Sequence, residues 1–547
     1  MKNVPKSASE AAALLLEIRR LMELKGENPF KVRAFDKAAD ALAGREDLGE
    51  LARAGRLTEI PGVGKGIAEV LGEFVLKGTS RVRDELLGEL PAGLLELTEI
   101  PGLGPKKAMQ LIEELDIHSV RELEYACREN RLLRLKGFGD KIQSKILEGI
   151  RFLSQTAGQQ RLGDVLGAAL ELLEALRGEL GQVSDAGMLR RRLETLSRLD
   201  YLVAAEDAQQ AQAGRKAKAV AERFRKKHLN LPEIAIHLSS PRRFGYELAR
   251  LTGTDEHWRA LGSPESFDAA SEREFFDRLK LPLIPPESRE TGEEVRLARA
   301  GHFDALLAEN GVQGVFHNHT VRSDGNASLE QMVIAAKKLG YKYIGISDHS
   351  QSAFYAQGLK TPTLKDQEKE VRQVQERHPE IRVFWGIESD ILQDGSLDYE
   401  PAVLKRFDFV VASIHSRFKM EKEAMTDRVL EALRNPCTRF LGHATGRLLL
   451  GRKGYDLHME KVIQEAARRD VAIEINANPA RLDIDWRWGP QLRESGTLVS
   501  INPDAHATEE LENTHFGVTM ARKALLPTSL VVNARSVQEV ERWLRRA

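Results

Sequence analysis

The rhythm of apolar and polar positions changes twice along the chain. Up to about residue 155, apolar residues recur at helical spacing. The patch Ala11–Leu16 is bracketed by Glu10, Glu17, Arg19 and Arg20, which predicts an amphipathic helix rather than a signal peptide. From about 156 to 310, helical stretches mix with short β-branched runs and end in the proline-rich segment Leu281-Pro-Leu-Ile-Pro-Pro-Glu-Ser. From about 313 onward, apolar runs of strand length alternate with amphipathic helical stretches, the pattern of a βα-wound domain.

Seven apolar runs of strand type can be picked out in that last part, and six close on a histidine or a carboxylate. They end at His317 and His319, at His349, at Glu388, at His415, at His443, near Asn476, and at Asp504 with His506. In a parallel barrel the C-terminal strand ends converge on one mouth, so residues far apart in sequence meet there. His317 and His319, two residues apart, belong on one face of a strand. One histidine is ordinarily a satisfied core or surface residue. Here six of the chain's 14 histidines fall on matched positions, which points to a metal site. Imidazole and carboxylate without thiolate suit manganese, zinc or iron.

The helical part carries a repeat. Thr58-Glu-Ile-Pro-Gly-Val-Gly-Lys-Gly-Ile-Ala recurs as Thr98-Glu-Ile-Pro-Gly-Leu-Gly-Pro-Lys-Lys-Ala, with a weaker third copy at Leu135-Lys-Gly-Phe-Gly-Asp-Lys-Ile. Each is a Gly-x-Gly turn opening a helix, with lysine in or near its first turn. The pairs are Gly62 and Gly64 with Lys65, Gly102 and Gly104 with Lys106 and Lys107, and Gly137 and Gly139 with Lys141. Glycines let a backbone approach closely, and free N–H groups at a helix start attract phosphate. The expected contact is with a nucleic-acid backbone, without sequence readout. A tight interhelical turn that touches nothing is the alternative for any single copy. The copies resemble helix–hairpin–helix motifs.

Composition narrows the picture. The net charge of −1 gives no overall field towards nucleic acid, so binding must come from local devices. Two cysteines, Cys127 and Cys437, exclude a disulfide framework and a cysteine zinc site and suit a reducing cytoplasm. No run of ~18 apolar residues is present, so no membrane span is expected.

From 313 to the end, the chain resembles the polymerase and histidinol phosphatase (PHP) superfamily. The resemblance is carried by His317-Asn-His319, Ser323-Asp324-Gly, Asp348-His349, Gly386-Ile-Glu388, Ser413-Ile-His415, Gly442-His443 and Asp504-Ala-His506. It implies three divalent metals. One would take His317, His319, Glu388 and Asp504; a second would share Glu388 and take His415 and His443; a third would take Asp324, His349 and His506. Such a cluster clamps the oxygens of a phosphoester and acidifies water for attack. Arg447 and Arg481 are candidates to hold substrate phosphate.

The whole chain resembles bacterial family-X DNA polymerases with a C-terminal PHP domain. The implied fold is multidomain α/β. It comprises an N-terminal helix–hairpin–helix domain (1–85), fingers with the other two copies (86–155), a nucleotidyltransferase-like palm (156–237), a thumb and linker (238–312), and a distorted seven-stranded β/α barrel (313–547). The family's palm holds Mg²⁺ on three carboxylates. Here Asp200 stands at one of those positions, but Arg198 and Ala235 stand at the other two. Templated synthesis, and Mg²⁺ in the palm, are therefore expected to be lost or very weak, with Glu194 and Glu233 the nearest substitute carboxylates. The position of a lyase lysine used by some relatives falls on Val70, with Lys65 nearby.

The resemblance implies a manganese-stimulated 3′→5′ exonuclease. Abasic endonuclease, 3′-phosphatase or RNA cleavage are open to the same site. The expected partners are single-stranded 3′ ends and gapped or primer–template DNA, in bacterial repair in the cytoplasm and nucleoid. The alternatives are a working polymerase with a proofreading barrel, a small-molecule phosphoesterase, and a noncatalytic scaffold.

Overall fold

The computed structural model describes residues 7–42, 45, 47–91, 93–128, 131–156, 158–228 and 231–545. It divides into two compact units, residues up to 157 and residues from 158 on.

The first unit is helical, with two apolar cores, one drawn from Ala8 to Leu86 and one from Leu94 to Ile150. Helix α1 (Ala8–Lys25) opens on a reciprocal cap between Ser7 and Glu10 and closes on left-handed Gly26, which satisfies orphan backbone groups at both ends. Three hairpins follow the repeat, and the helices they open are α2 (Lys65–Lys77), α3 (Pro105–Leu115) and α4 (Asp140–Thr156). In each turn the first glycine has positive φ: 84° at Gly62, 87° at Gly102 and 88° at Gly137. The weaker third copy thus makes the same turn as the other two. The residue between the glycines, Val63, Leu103 or Phe138, is buried and anchors the turn to the core.

The second unit begins with helix α5 (Leu162–Leu180), which packs on a three-stranded sheet. In that sheet β1 (Val183–Ala186) runs antiparallel to β2 (Arg198–Ala204), which runs parallel to β3 (Glu233–Ser239). A small helical region follows, built round Tyr246, Trp258, Phe275 and Phe276. The proline-rich stretch belongs to that core and is no loose connector. Ile284 and Arg289 are fully buried, and Arg289 pairs with Glu272 at 2.5 Å.

The rest is a parallel sheet of seven strands in sequence order: β4 (Gly314–Val315), β5 (Tyr343–Ile346), β6 (Arg382–Asp390), β7 (Phe409–Ser413), β8 (Thr438–Leu441), β9 (Ala472–Asn476) and β10 (Val499–Asn502). A parallel bridge between Asn318 and Ala505 brings the first strand's continuation to the last, so the barrel nearly closes. Its interior is layered. Phe316, Tyr343, Phe384, Phe409 and Phe440 fill one end, covered by Trp543 of α6 (Val537–Leu544). On β6 the residues Phe384, Gly386 and Glu388 share a face, because side chains alternate along a strand. A Cβ at Gly386 would lie 2.3 Å from the Phe409 ring. The glycine therefore makes room for the aromatic layer and leaves Glu388 above it.

One expectation is corrected here. His317 and His319 lie beyond their strand, since β4 ends at Val315. Side chains replace the ladder from there on. Asn502 Oδ1 accepts from Phe316 N at 2.9 Å, and Ser347 Oγ accepts from Asn318 N at 3.2 Å. No helix among the described residues is long and apolar enough to cross a membrane.

Candidate metal centre

The polar residues that close the apolar runs meet at the C-terminal mouth of the barrel. Glu388, fully buried near the end of β6, is the hub. Its Oε1 lies 3.0 Å from His443 Nε2, 3.2 Å from His317 Nε2 and 3.3 Å from His415 Nε2. Its Oε2 lies 2.8 Å from His349 Nδ1 and 3.6 Å from His319 Nε2. Asp504 Oδ1 lies 3.2 Å from His319 and 3.5 Å from His317. Asp324 stands 3.3 Å from His506 and 3.4 Å from His349. All nine expected ligands are in this assembly.

Four overlapping ligand groups are close enough to share an ion. They are His319–Asp324–His349–His506, His317–His443–Asp504, His317–His319–Glu388 and His349–Glu388–His415. The grouping is finer than expected from the sequence, with His319 joining the Asp324 group and His349 reaching Glu388.

Carboxylates behind the cluster aim the imidazoles. Glu474 Oε1 is 2.7 Å from His317 Nδ1, which turns Nε2 into the cluster, and Glu474 Oε2 accepts from His443 N at 2.7 Å. Asp390 does the same for His415, at 2.6 Å from Nδ1. Such partners fix the ring and raise ligand basicity. Asp348 is fully buried. It accepts from Thr320 N and Oγ1, Ser323 Oγ and Gln367 Nε2, and so holds the loop that carries Asp324. The sequence reading missed Glu474 and Asp390. The available signal was a carboxylate inside the apolar run Val471–Asn476, and an aspartate two residues after Glu388 on the same strand face.

The electrostatics are those of a cation site. Burial would push Glu388 up, but His317, His415 and His349 outweigh it and hold the carboxyl well below its usual range. Asp504 is likewise depressed, against burial, by His317 and His319. His319 is pushed down to about 3, by burial first and then by His349 and His506, and so is neutral. Both its ring nitrogens, His317 Nε2 and Glu388 Oε2 are buried atoms with no hydrogen-bond partner. Orphaned buried acceptors facing one another are costly unless a cation is shared between them. The donor set, imidazole and carboxylate only, fits divalent transition metals.

The two candidate arginines differ in what they touch. Arg481 Nε is 3.7 Å from Asp504 Oδ2, at the edge of the cluster. Arg447 is fully committed: Nε donates to Arg481 O at 2.9 Å, and its other two nitrogens bond Asp485 and Leu482 O.

Elsewhere in this unit, Arg198 Nε pairs with Asp200 Oδ1 at 2.9 Å, and His237 Nε2 lies 2.8 Å from the same oxygen. Ala235 stands directly across from Asp200 in the parallel register, and Glu233 across from Arg198. Glu194 accepts from Trp486 Nε1 at 3.1 Å and Arg487 at 2.6 Å.

In the first unit, Gly62, Gly64, Gly102, Gly104, Gly137 and Gly139 are exposed, as are Lys65, Lys106 and Lys141, while Lys107 is half-buried. Gly64 and Gly104 cap their helices with no side-chain hydrogen bond. Val70 is buried in the core.

Comparison with known proteins follows the same division. A helix-hairpin-helix domain model matches residues 7–80, a SAM-like helix-hairpin-helix tandem residues 94–151, and a PHP domain residues 316–478. The DNA polymerase/3′-5′ exonuclease PolX of Bacillus subtilis is 37% identical over 97% of this chain and 98% of its own length. A probable phosphatase of Caldicellulosiruptor saccharolyticus is 28% identical over 42% of this chain and 94% of its own length. A crystal structure of histidinol phosphate phosphatase from Lactococcus lactis aligns at 18% identity over 39% of this chain and 94% of that chain, with a TM-score of 0.33.

Proposed function

The chain belongs to the DNA polymerase/3′-5′ exonuclease family that couples helix-hairpin-helix domains to a PHP domain, and on that premise we propose that it is a metal-dependent 3′→5′ exonuclease on DNA whose polymerase core no longer adds nucleotides. The observation that carries the reading is the ring of orphaned, buried imidazole and carboxylate atoms round Glu388. His317, His319, Asp324, His349, Glu388, His415, His443, Asp504 and His506 hold three divalent ions, manganese, zinc or iron. When bound, such ions clamp a phosphodiester's oxygens and generate a hydrolytic nucleophile near neutral pH. Glu474 and Asp390 hold the rings of His317 and His415 in register. Arg481 orients the phosphate from the rim, and Arg447 holds the Arg481 loop in place.

The hairpins grip the DNA backbone. Gly64, Gly104 and Gly139 lack positive φ, and a Cβ at any of them would meet nothing within 4 Å. Nothing inside the unit calls for glycine there, whereas close approach of a phosphate does. Residues 1–85 and 86–155 form this grip, 156–237 the palm, 238–312 the thumb, and 313–547 the barrel. The loss of synthesis rests on Asp200. Its carboxylate is taken up by Arg198 and His237, Ala235 opposite it offers no oxygen, and Glu194 is engaged with Trp486 and Arg487. Among the described residues, no ligand group able to hold a metal includes Asp200. A guanidinium at that place repels Mg²⁺. The setting is bacterial DNA repair, and abasic-site or 3′-phosphate cleavage is within the same chemistry.

The test is 5′-labelled primer–template with Mn²⁺, with and without nucleotides, beside His317→Ala. Shortening that vanishes in His317→Ala, without extension, supports the reading. Extension overturns the reading of Arg198 and Ala235. Neither product points to a small phosphoester or a scaffold.

A further inference from the structure

Beside the metal centre, the loop from His443 to Tyr455 presents a guanidinium that no carboxylate neutralises. Arg452 Nε and Nη2 both donate to Gly446 O, at 3.1 and 2.9 Å. Its guanidinium carbon sits 4.4 Å from the centre of the Phe418 ring. Among the described residues, no ion pair includes Arg452. Arg447, five positions earlier, has all three nitrogens occupied. The sequence does not distinguish the two; their bonding does.

The group is held rigidly. Leu448 and Arg452 exchange backbone hydrogen bonds of 2.9 and 2.8 Å, and Tyr455 N donates to Thr445 O at 2.9 Å. Gly446 has φ 61°, and a Cβ there would lie 2.8 Å from the Tyr455 ring. Phe418 stacks on Tyr455 with centroids 6.1 Å apart. Arg452 thus lies on an aromatic shelf, with Nη1 free of any hydrogen bond among the described residues.

Its neighbour is Arg481. Leu449 N donates to Ala480 O at 2.7 Å, and Arg447 Nε bonds Arg481 O at 2.9 Å, so the two loops are laced together. Burial, and then the charge of Arg481, hold the Arg452 guanidinium below its ordinary range. Two like charges so placed repel each other, and an anion between or beside them relieves that repulsion. Arg481 approaches the ligand Asp504 at 3.7 Å, whereas Arg452 makes no contact with any of the nine ligand residues. The order outward from the centre is ligands, Arg481, Arg452. Exposed Arg417, Lys419 and Lys453 continue the basic rim.

We infer that Arg452 on its Phe418 shelf forms a second phosphate subsite, which holds the phosphodiester next to the scissile one and so selects a polynucleotide over a lone phosphoester. A planar guanidinium with a free edge suits a phosphate oxygen. The inference rests on the nuclease reading and specifies how its substrate is held.

The experiment compares wild type, Arg452→Gln and Arg452→Lys with Mn²⁺ on two substrates. One is a labelled single-stranded oligonucleotide. The other is thymidine 5′-(p-nitrophenyl phosphate), which has one phosphodiester and no neighbour. Arg452→Gln is expected to raise KM for the oligonucleotide by about tenfold or more, with kcat and both constants for the single diester within about twofold of wild type. The slope of log KM against log salt should fall by about 0.7, one phosphate contact on a single strand. Arg452→Lys should recover part of the KM. Equal losses on both substrates overturn the subsite, because Arg452 would then act at the scissile phosphate or on the fold. No change on the oligonucleotide overturns it as well. If the wild type cuts neither substrate, the nuclease reading itself fails and takes the subsite with it.

Discussion

Glu474 touches no substrate in the reading above, yet it holds two of the cluster's histidines. One oxygen faces His317 Nδ1, the other accepts from His443 N, and Asn502 Nδ2 also donates to it at 3.1 Å. Glu474→Gln keeps the shape but removes the charge that favours the Nδ1–H tautomer and aims Nε2 at the centre. Outer partners of this kind typically cost 10–100-fold in metal affinity or activity. The expected result is a 10–100-fold weaker Mn²⁺ activation midpoint, with activity regained at high Mn²⁺ and an unchanged circular dichroism spectrum. His317→Ala removes the ligand itself and should not be rescued. An unshifted Mn²⁺ titration in Glu474→Gln would show that the histidines need no such support.

The hairpins separate two uses of glycine within one element. Gly102, with φ 87°, is required by the turn, so a side chain there strains the backbone. Gly104 has φ −74° and open space at its Cβ position, so Gly104→Val should fold normally. If the helix start receives a phosphate, the added branch blocks its approach. DNA affinity by fluorescence anisotropy should then fall about three- to tenfold, with Tm within ~2 °C of wild type. Unchanged affinity would return this copy to a turn that touches nothing.

The region between the palm sheet and the barrel depends on buried charge. Glu272 pairs with Arg190 at 2.6 Å and with fully buried Arg289 at 2.5 Å. Glu272→Gln leaves Arg289 without a counter-charge and should cost about 3–5 kcal/mol in denaturant unfolding. Burial pushes Glu272 up, but Arg289 and Arg190 outweigh it and lower its pKa below the ordinary 4.5. A depressed carboxyl contributes stability that is complete above its unfolded value and lost as pH falls through the folded one. The wild type should therefore lose this contribution only below about pH 4.5, and Glu272→Gln should lack that part of the acid transition. Equal acid profiles would remove Glu272 from the account.

These elements also show where sequence reading stops. The barrel was legible because each strand is apolar and closes on a polar residue that water exclusion leaves only one use for. The hairpins were legible because their glycines repeat. The end of β4 at Val315 was not, since its ladder is taken over by Asn502 and Ser347, which lie far away in sequence. Nor could sequence say that Arg447 is used up by carbonyls of its neighbouring loop while Arg452 keeps a free edge.

At the scale of the molecule, the palm persists as part of the barrel's core. One apolar cluster runs from Leu162, Leu172 and Tyr201 through Val315, Ile344 and Ile501. Gly163 lies so close to Pro479 that a Cβ would sit 2.4 Å from the proline's own, and Glu194 bonds Trp486 and Arg487. Stripping the palm away would bare that surface, so it can lose its metal carboxylates and still be needed for folding. The first unit has separate cores. Calorimetry should therefore show two transitions, one for residues up to 157 and one for palm, thumb and barrel together. Metal binds only the native barrel, so Mn²⁺ at a hundred times its Kd adds about 2.7 kcal/mol there. For a unit of that size this raises the second transition by about 3 °C and leaves the first in place. A third transition would mean that palm and barrel fold independently. A metal shift of the first transition would place a metal site in the helical unit, where the cluster round Glu388 gives no reason to expect one.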